Sequence, residues 1–207
     1  MTLAELQIFL GSRSNEEVID RDLFGRRPWL FPSDETFARW RASLASALDI
    51  LAADVVIVGS AATGFSLSPL KPGRPFRSEG ALESERSDVD IAFVSPNLFL
   101  AAWNEIIYYD RTRRLGWDYE TRVRVRQDVY WGLVSDSRFP RNTDAARMMS
   151  GVKAIARRDQ PVRGHEVRCR VYRRHQDLRA YHIASLRDLR SALSAALEDV
   201  QNGQQRN

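Results

Sequence analysis

Val55-Val56-Ile57-Val58-Gly59-Ser60 and, 27 residues after Ser60, Ser87-Asp88-Val89-Asp90-Ile91 are the two stretches on which the reading of this chain turns. The first is a β-branched run too short for a helix, and it reads as a buried strand that ends at a glycine. Ser60 then opens a turn that closes at Gly64. In the second, Val89, Ile91 and Phe93 alternate with Asp90 and Ala92, so a strand sends Asp88 and Asp90 to one face and the apolar residues to the other. The two carboxylates then lie roughly 6.5 to 7 Å apart at Cα. Like charges so placed repel unless a cation sits between them, and octahedral Mg²⁺ is bound through one or two carboxylates together with substrate phosphates.

Outward from these strands, the pattern predicts one α/β (α+β) domain, a mixed β-sheet flanked by helices with a helical C-terminal part. Residues 1–32 form an N-terminal segment, with a short helix over 3–10 and irregular packing over 11–32. The main domain spans 33–201, and 202–207 is a polar tail. Ser33-Asp34-Glu35 after Pro32 starts a helix whose apolar stripe is Phe37, Trp40, Leu44, Leu48 and Leu51. Pro69, Pro72, Gly73, Pro75 and Gly80 forbid regular structure over 67–86, which reads as a long surface loop that buries little. Helices are expected over 98–109 and 119–134, and from Asn142-Thr143-Asp144 to Ile155. Trp103, Ile106, Ile107, Trp117, Tyr130 and Trp131 in this region read as core residues. Val167, Cys169 and Val171 alternate with Arg168 and Arg170, a half-buried strand over 166–172. Ser185-Leu186-Arg187-Asp188 reads as the cap of a last helix, with Leu186, Leu189, Leu193, Leu197 and Val200 on one face.

Composition narrows the class. At 207 residues and 43% hydrophobic content the chain can bury one good core. Nothing approaches a membrane-spanning apolar run, the start lacks a signal-peptide pattern, and Cys169 is the single cysteine, so a cytoplasmic location without disulfides is expected. The net charge is +4, carried by 29 arginines and only two lysines, Lys71 and Lys153. Arginine grips phosphate bidentately; GC-rich codon usage, which favours Arg codons, is the readier account of the count. Clusters at Arg111, Arg113, Arg114, Arg122, Arg124 and Arg126, and over 157–174, are candidate RNA or DNA patches. His165, His175 and His182 match no zinc spacing.

Gly59-Ser60 with Ser87-Asp88-Val89-Asp90-Ile91 resembles the signature of the DNA polymerase β-type nucleotidyltransferase superfamily. Ser60-Ala61-Ala62-Thr63-Gly64 is similar to the Gly-Ser-x-x-x-Gly form of its oligonucleotide and cyclic-dinucleotide synthases. The resemblance covers residues 33–96. It implies that Asp88 and Asp90 hold Mg²⁺ (or Mn²⁺) and that Gly59, Ser60, Gly64 and Ser87 hold nucleotide phosphates. Lys71, Arg74 and Arg77 in the loop are expected to close over a triphosphate. Active members add a third carboxylate from a later strand; here Glu166 is the nearest substitute, since Asp118, Glu120 and Asp128 fall in helical segments. Two functions stay open. One is Mg²⁺-dependent transfer of a nucleoside monophosphate from an NTP to a hydroxyl of a nucleotide, nucleic acid or protein, by a minimal enzyme or one completed by a partner chain. The other is a catalytically degenerate module that binds nucleic acid or a nucleotide.

Overall fold

The computed structural model describes residues 1–78, 86–112 and 115–204, with side chains through 195. Helix α1 (Leu3–Gly11) begins at a reciprocal cap in which Thr2 Oγ1 accepts the Glu5 N–H and the Glu5 carboxylate accepts the Thr2 N–H. Residues 11–32, expected to be irregular, carry a second such cap, Ser14 with Glu17. It starts α2 (Asn15–Glu17), which runs directly into a π-helical stretch, Val18–Phe24. The wider π turn keeps Val18, Ile19 and Leu23 all inward, and all three are buried.

Helix α3 (Asp34–Leu48) starts at the predicted Ser33, whose hydroxyl accepts the Thr36 N–H. Trp40, Leu44 and Leu48 are buried, and the Trp40 indole N–H donates to the Ala156 carbonyl at 3.0 Å. Leu51 leaves the expected stripe: the helix stops at Asp49, left-handed at φ 51°, and Leu51 is 72% exposed. A 3₁₀ turn then leads into β1 (Val55–Val58), followed by the one-turn α4 (Ser60–Thr63).

Strand β2 (Val89–Val94) leads through α5 (Pro96–Arg111) to α6 (Tyr119–Tyr130), β3 (Leu133–Ser135), α7 (Asp144–Ala156) and β4 (Val167–Tyr172). The helix expected over 119–134 therefore ends early. Gly132 is at φ +69°, with the Asp177 side chain 2.7 Å from where a Cβ would stand, and this turn releases Leu133–Ser135 to pair with β4. Tyr130, expected in the core, is 80% exposed. The last helix, α8 (His175–Gln204), begins ten residues before the expected Ser185 cap, placing Ser185 in the helix interior. Leu178 and Ile183 are already buried in that first part, and Asp177 accepts hydrogen bonds from the Arg173 and Arg174 side chains at the entry. Leu186, Leu189 and Leu193 face inward as expected; Leu197 and Val200 lie outside the residues whose side chains are described.

The sheet order is β1-β2-β4-β3, with β2 and β4 parallel and both outer pairs antiparallel. The architecture is α+β, a four-stranded mixed sheet flanked by helices. One sheet face, with Ile57, Ile91, Phe93, Cys169 and Val171, packs into the main core with α3, α5 and α7. The other face holds a smaller cluster of Val58, Ala92, Val94, Leu133 and Tyr172, covered by Leu178 of α8. The loop also differs from expectation in its first half. Phe65 bridges Pro75, the Phe76 N–H donates to the Gly64 carbonyl, and Phe76 is buried against Trp29 and His165. Residues 79–85 lie outside those described.

Candidate functional site

Asp90, Ala92 and Val94 share one face of β2, and only the last two are covered by the small cluster. The face thus changes from apolar to ionic along a single strand. Parallel pairing brings Arg168 opposite Asp90 and Arg170 opposite Ala92, while Val58 of β1 lies opposite Asp90 on the other side. Registered residues of neighbouring strands project to the same face, so Arg168 and Arg170 of β4 stand beside Asp90 of β2, with Asp88 just before the strand.

A cleft of about 380 Å³ opens over this ionic end. Its walls are the Gly59-Ser60 turn, the loop from Ser66 to Pro75, and α8 through Tyr181, His182 and Ser185, with Ile19 and Leu23 from the π-helical stretch. Gly59 adopts φ 69° and ψ −153°, a region essentially restricted to glycine. A Cβ there would also stand 3.1 Å from Asp90 Oδ2, so this residue permits the turn and the carboxylate to approach each other.

Arg168 Nη1 binds Asp88 Oδ2 at 2.9 Å. Arg170 lies over the Tyr181 ring, 5.9 Å from its centroid. Asp90 is half-buried, and burial pushes its carboxyl above the ordinary range; the nearby Arg170 and then Arg168 pull it back without offsetting that cost. His182 Nε2 is enclosed without a hydrogen-bond partner, and burial, with Arg170 close by, holds its imidazole at about 3, a neutral ring. Arg86 anchors one wall by donating from Nη1 to the Gly164 carbonyl, with Nε enclosed and unpartnered. Lys71 and Arg74 are exposed on the rim and have no ion pair among the described residues.

Of the residues singled out in the sequence, Gly59, Ser60, Lys71, Arg74, Ser87, Asp88 and Asp90 all line this one cleft. Ser87 also ties the base of the loop: its hydroxyl accepts the Arg77 N–H, and its carbonyl accepts from His165 Nδ1. Two expected residues are not brought in. Gly64 closes α4 at φ +85°, with the Trp29 indole 2.9 Å from where a Cβ would stand, so packing is what it serves. Glu166 precedes β4, is largely exposed and pairs with Arg168 at 3.4 Å, away from the cleft lining.

Arg86, Tyr181, His182 and Ser185 line the site without a sequence signal that tied them to it, because α8 begins earlier than its apparent cap and Arg86 lies in the long loop. Cys169 projects to the opposite face of β4, and burial pushes its thiol up, out of the nucleophilic range. Of the arginine clusters, Arg122 pairs with Asp110, and Arg173 and Arg174 share Asp177; Arg113 and Arg114 lie outside the described residues.

The Mg²⁺ implied by the sequence resemblance would take Asp88 and Asp90. Arg168 would have to leave Asp88 for that pair to take an ion. Among the described residues no group of three or more His, Cys, Asp or Glu side chains is placed to hold a metal. Nor is any helix among those residues long and apolar enough to cross a membrane. Compared with known proteins, the chain matches no family model, no curated protein and no solved structure.

Proposed function

We propose that the cleft binds a nucleoside triphosphate. The observation that supports this reading is the convergence of two separate segments: antiparallel pairing brings the Gly59-Ser60 turn against Asp90, in a cleft rimmed by Lys71, Arg74 and Arg86. A triphosphate carries several negative charges, and guanidinium forks with a closely approachable turn are groups that hold them. The resemblance of these two segments to the polymerase β-type nucleotidyltransferases points to the same ligand.

Transfer of the nucleoside monophosphate, with Mg²⁺ or Mn²⁺ on Asp88 and Asp90, is the second reading. It is favoured by the two carboxylates lining the same cleft as the turn. The ion pair between Asp88 and Arg168, and the outward placement of Glu166, favour a binding module. Titrating ATP, GTP, CTP and UTP into the protein tests the first reading. Saturable binding of at least one is expected, weakened about tenfold or more, roughly 1.4 kcal/mol, by Lys71→Gln with Arg74→Gln. No saturable binding of any of the four would sink it. Incubation with α-labelled NTPs and Mg²⁺ separates the readings: release of pyrophosphate identifies a transferase, and intact nucleotide identifies a module.

A further inference from the structure

A metal ion and a guanidinium compete for the same carboxylates, and in this cleft the guanidinium is built into the sheet. The parallel register of β2 and β4 fixes Arg168 opposite Asp90, and its Nη1 holds Asp88 Oδ2 at 2.9 Å. Arg170, two residues on, projects from the same face of β4 into the same cleft. Arg168 therefore occupies Asp88, one of the two carboxylates through which a cation would bridge to a phosphate. We propose that Arg168, oriented by Asp88, takes the place of a metal ion, so that the cleft binds a polyphosphate without a divalent cation. This rests on the nucleotide reading above and adds how the ligand is held.

Three features support it. Among the described residues, the basic side chains lining the cleft, Lys71, Arg74, Arg86, Arg168 and Arg170, outnumber its carboxylates, Asp88 and Asp90. With Arg168 and Arg170 set against those carboxylates, Lys71, Arg74 and Arg86 remain to meet phosphate charge. An arginine has five N–H donors in a rigid fork. Arg168 uses Nη1 on Asp88 and Nε on Glu166, which leaves donors of the same guanidinium for a phosphate oxygen. A metal that entered between Asp88 and Asp90 would meet Arg168 as a like charge at contact distance, which disfavours binding unless the ion pair opens. Asp88 is thus a positioning residue in this arrangement, holding a cation that contacts the ligand.

The test is the affinity for ATP and for inorganic tripolyphosphate in EDTA and in Mg²⁺, with Mn²⁺ binding followed separately by electron paramagnetic resonance. The wild-type protein is expected to bind both polyphosphates in EDTA, with affinity unchanged or weaker in Mg²⁺, and to bind Mn²⁺ poorly. Arg168→Gln is expected to lose tenfold or more in EDTA and to bind Mn²⁺ tenfold or more tighter through the freed carboxylates. Arg168→Lys, which keeps the charge but not the fork, should recover only part of the polyphosphate affinity. Binding that requires Mg²⁺ in the wild type overturns this inference and leaves the nucleotide reading intact. EDTA-resistant binding that Arg168→Gln does not alter overturns the role of Arg168. Absence of polyphosphate binding with and without metal overturns the nucleotide reading itself.

Discussion

Asp90 carries a folding cost that its neighbours do not offset. Burial raises its carboxyl above the ordinary 3.8, and the attraction of Arg170 and Arg168 recovers only part of the difference. A carboxyl raised in the folded state binds more protons there than in the unfolded chain, so its contribution to stability falls as pH rises through the window above 3.8. Asn is a near-isostere that mimics the neutral form. Asp90→Asn is therefore expected to melt higher than wild type at neutral pH, with the gap closing as pH falls below about 4. His182 acts in the opposite sense: held at about 3 when folded, it favours folding above its ordinary 6.5 and loses that as pH falls toward 3. The same loss occurs in both proteins and cancels in the difference. Thermal unfolding of both proteins between about pH 3 and about pH 7.5, a range set by about one unit around these ordinary values, checks this. A lower melting temperature for Asp90→Asn at neutral pH would mean that its arginine contacts outweigh its burial.

At the scale of elements, residues 64–78, between β1 and β2, combine packed structure with cleft rim. Phe76 is 6% exposed, with its ring 5.7 Å from that of Trp29 and 5.1 Å from that of His165. Gly73 packs as closely: a Cβ there would meet the Met1 carbonyl at 3.0 Å. Lys71 and Arg74 lie on the rim of the same segment. Phe76→Ala is expected to cost about 3 to 5 kcal/mol by removing a buried ring, read as a lowered denaturant midpoint. Lys71→Gln with Arg74→Gln should leave that midpoint nearly unchanged while weakening anion binding. Equal midpoints for Phe76→Ala and wild type would show that the segment opens freely, as the proline and glycine content over 67–86 suggests.

Across the whole molecule, α8 joins the N-terminal segment to the sheet. Arg190 Nε donates to Asn15 Oδ1 and its Nη2 to the Arg13 carbonyl, while Arg179 grips Asp20 through two hydrogen bonds. Leu6, Leu10, Val18 and Ile19 are buried in the same hydrophobic cluster as Ile57, Ile91 and Leu189. Ile19 and Leu23 also line the cleft. A chain that begins at Ser33 is therefore expected to lack a cooperative thermal transition, since α8 would expose its inner face along much of its length. Loss of one buried leucine commonly costs about 2 to 5 kcal/mol, and removing residues 1–32 removes several such side chains. Coincident circular-dichroism and tryptophan-fluorescence transitions in the full chain, with none in the truncated one, meet the expectation; a sigmoidal transition in the truncated chain refutes it.

Strands β1, β2 and β4, helices α3 and α7, and the turning of Asp90 away from the main core were legible from local order, because side-chain period and capping act over a few residues. The caps at Ser33 and Thr143 and the alternation from Val89 onward carry their own explanation within one turn or one strand. Strand order is a different kind of fact. That β4 lies beside β2, parallel and with Arg168 opposite Asp90, depends on pairing between residues some eighty positions apart. A slip of one residue would turn Arg168 and Arg170 into the core, which the apolar alternation of 166–172 forbids; a slip of two keeps every side chain on its face, and no local feature of 166–172 excludes it. The early start of α8 follows from burial of Leu178 against Ala92 and Val94, which outweighs the apparent cap at Ser185. The carboxylates of the cleft are thus readable in the chain, while the arginines that face them follow from the register of the folded sheet, where long-range packing chooses among pairings that local propensity leaves equal.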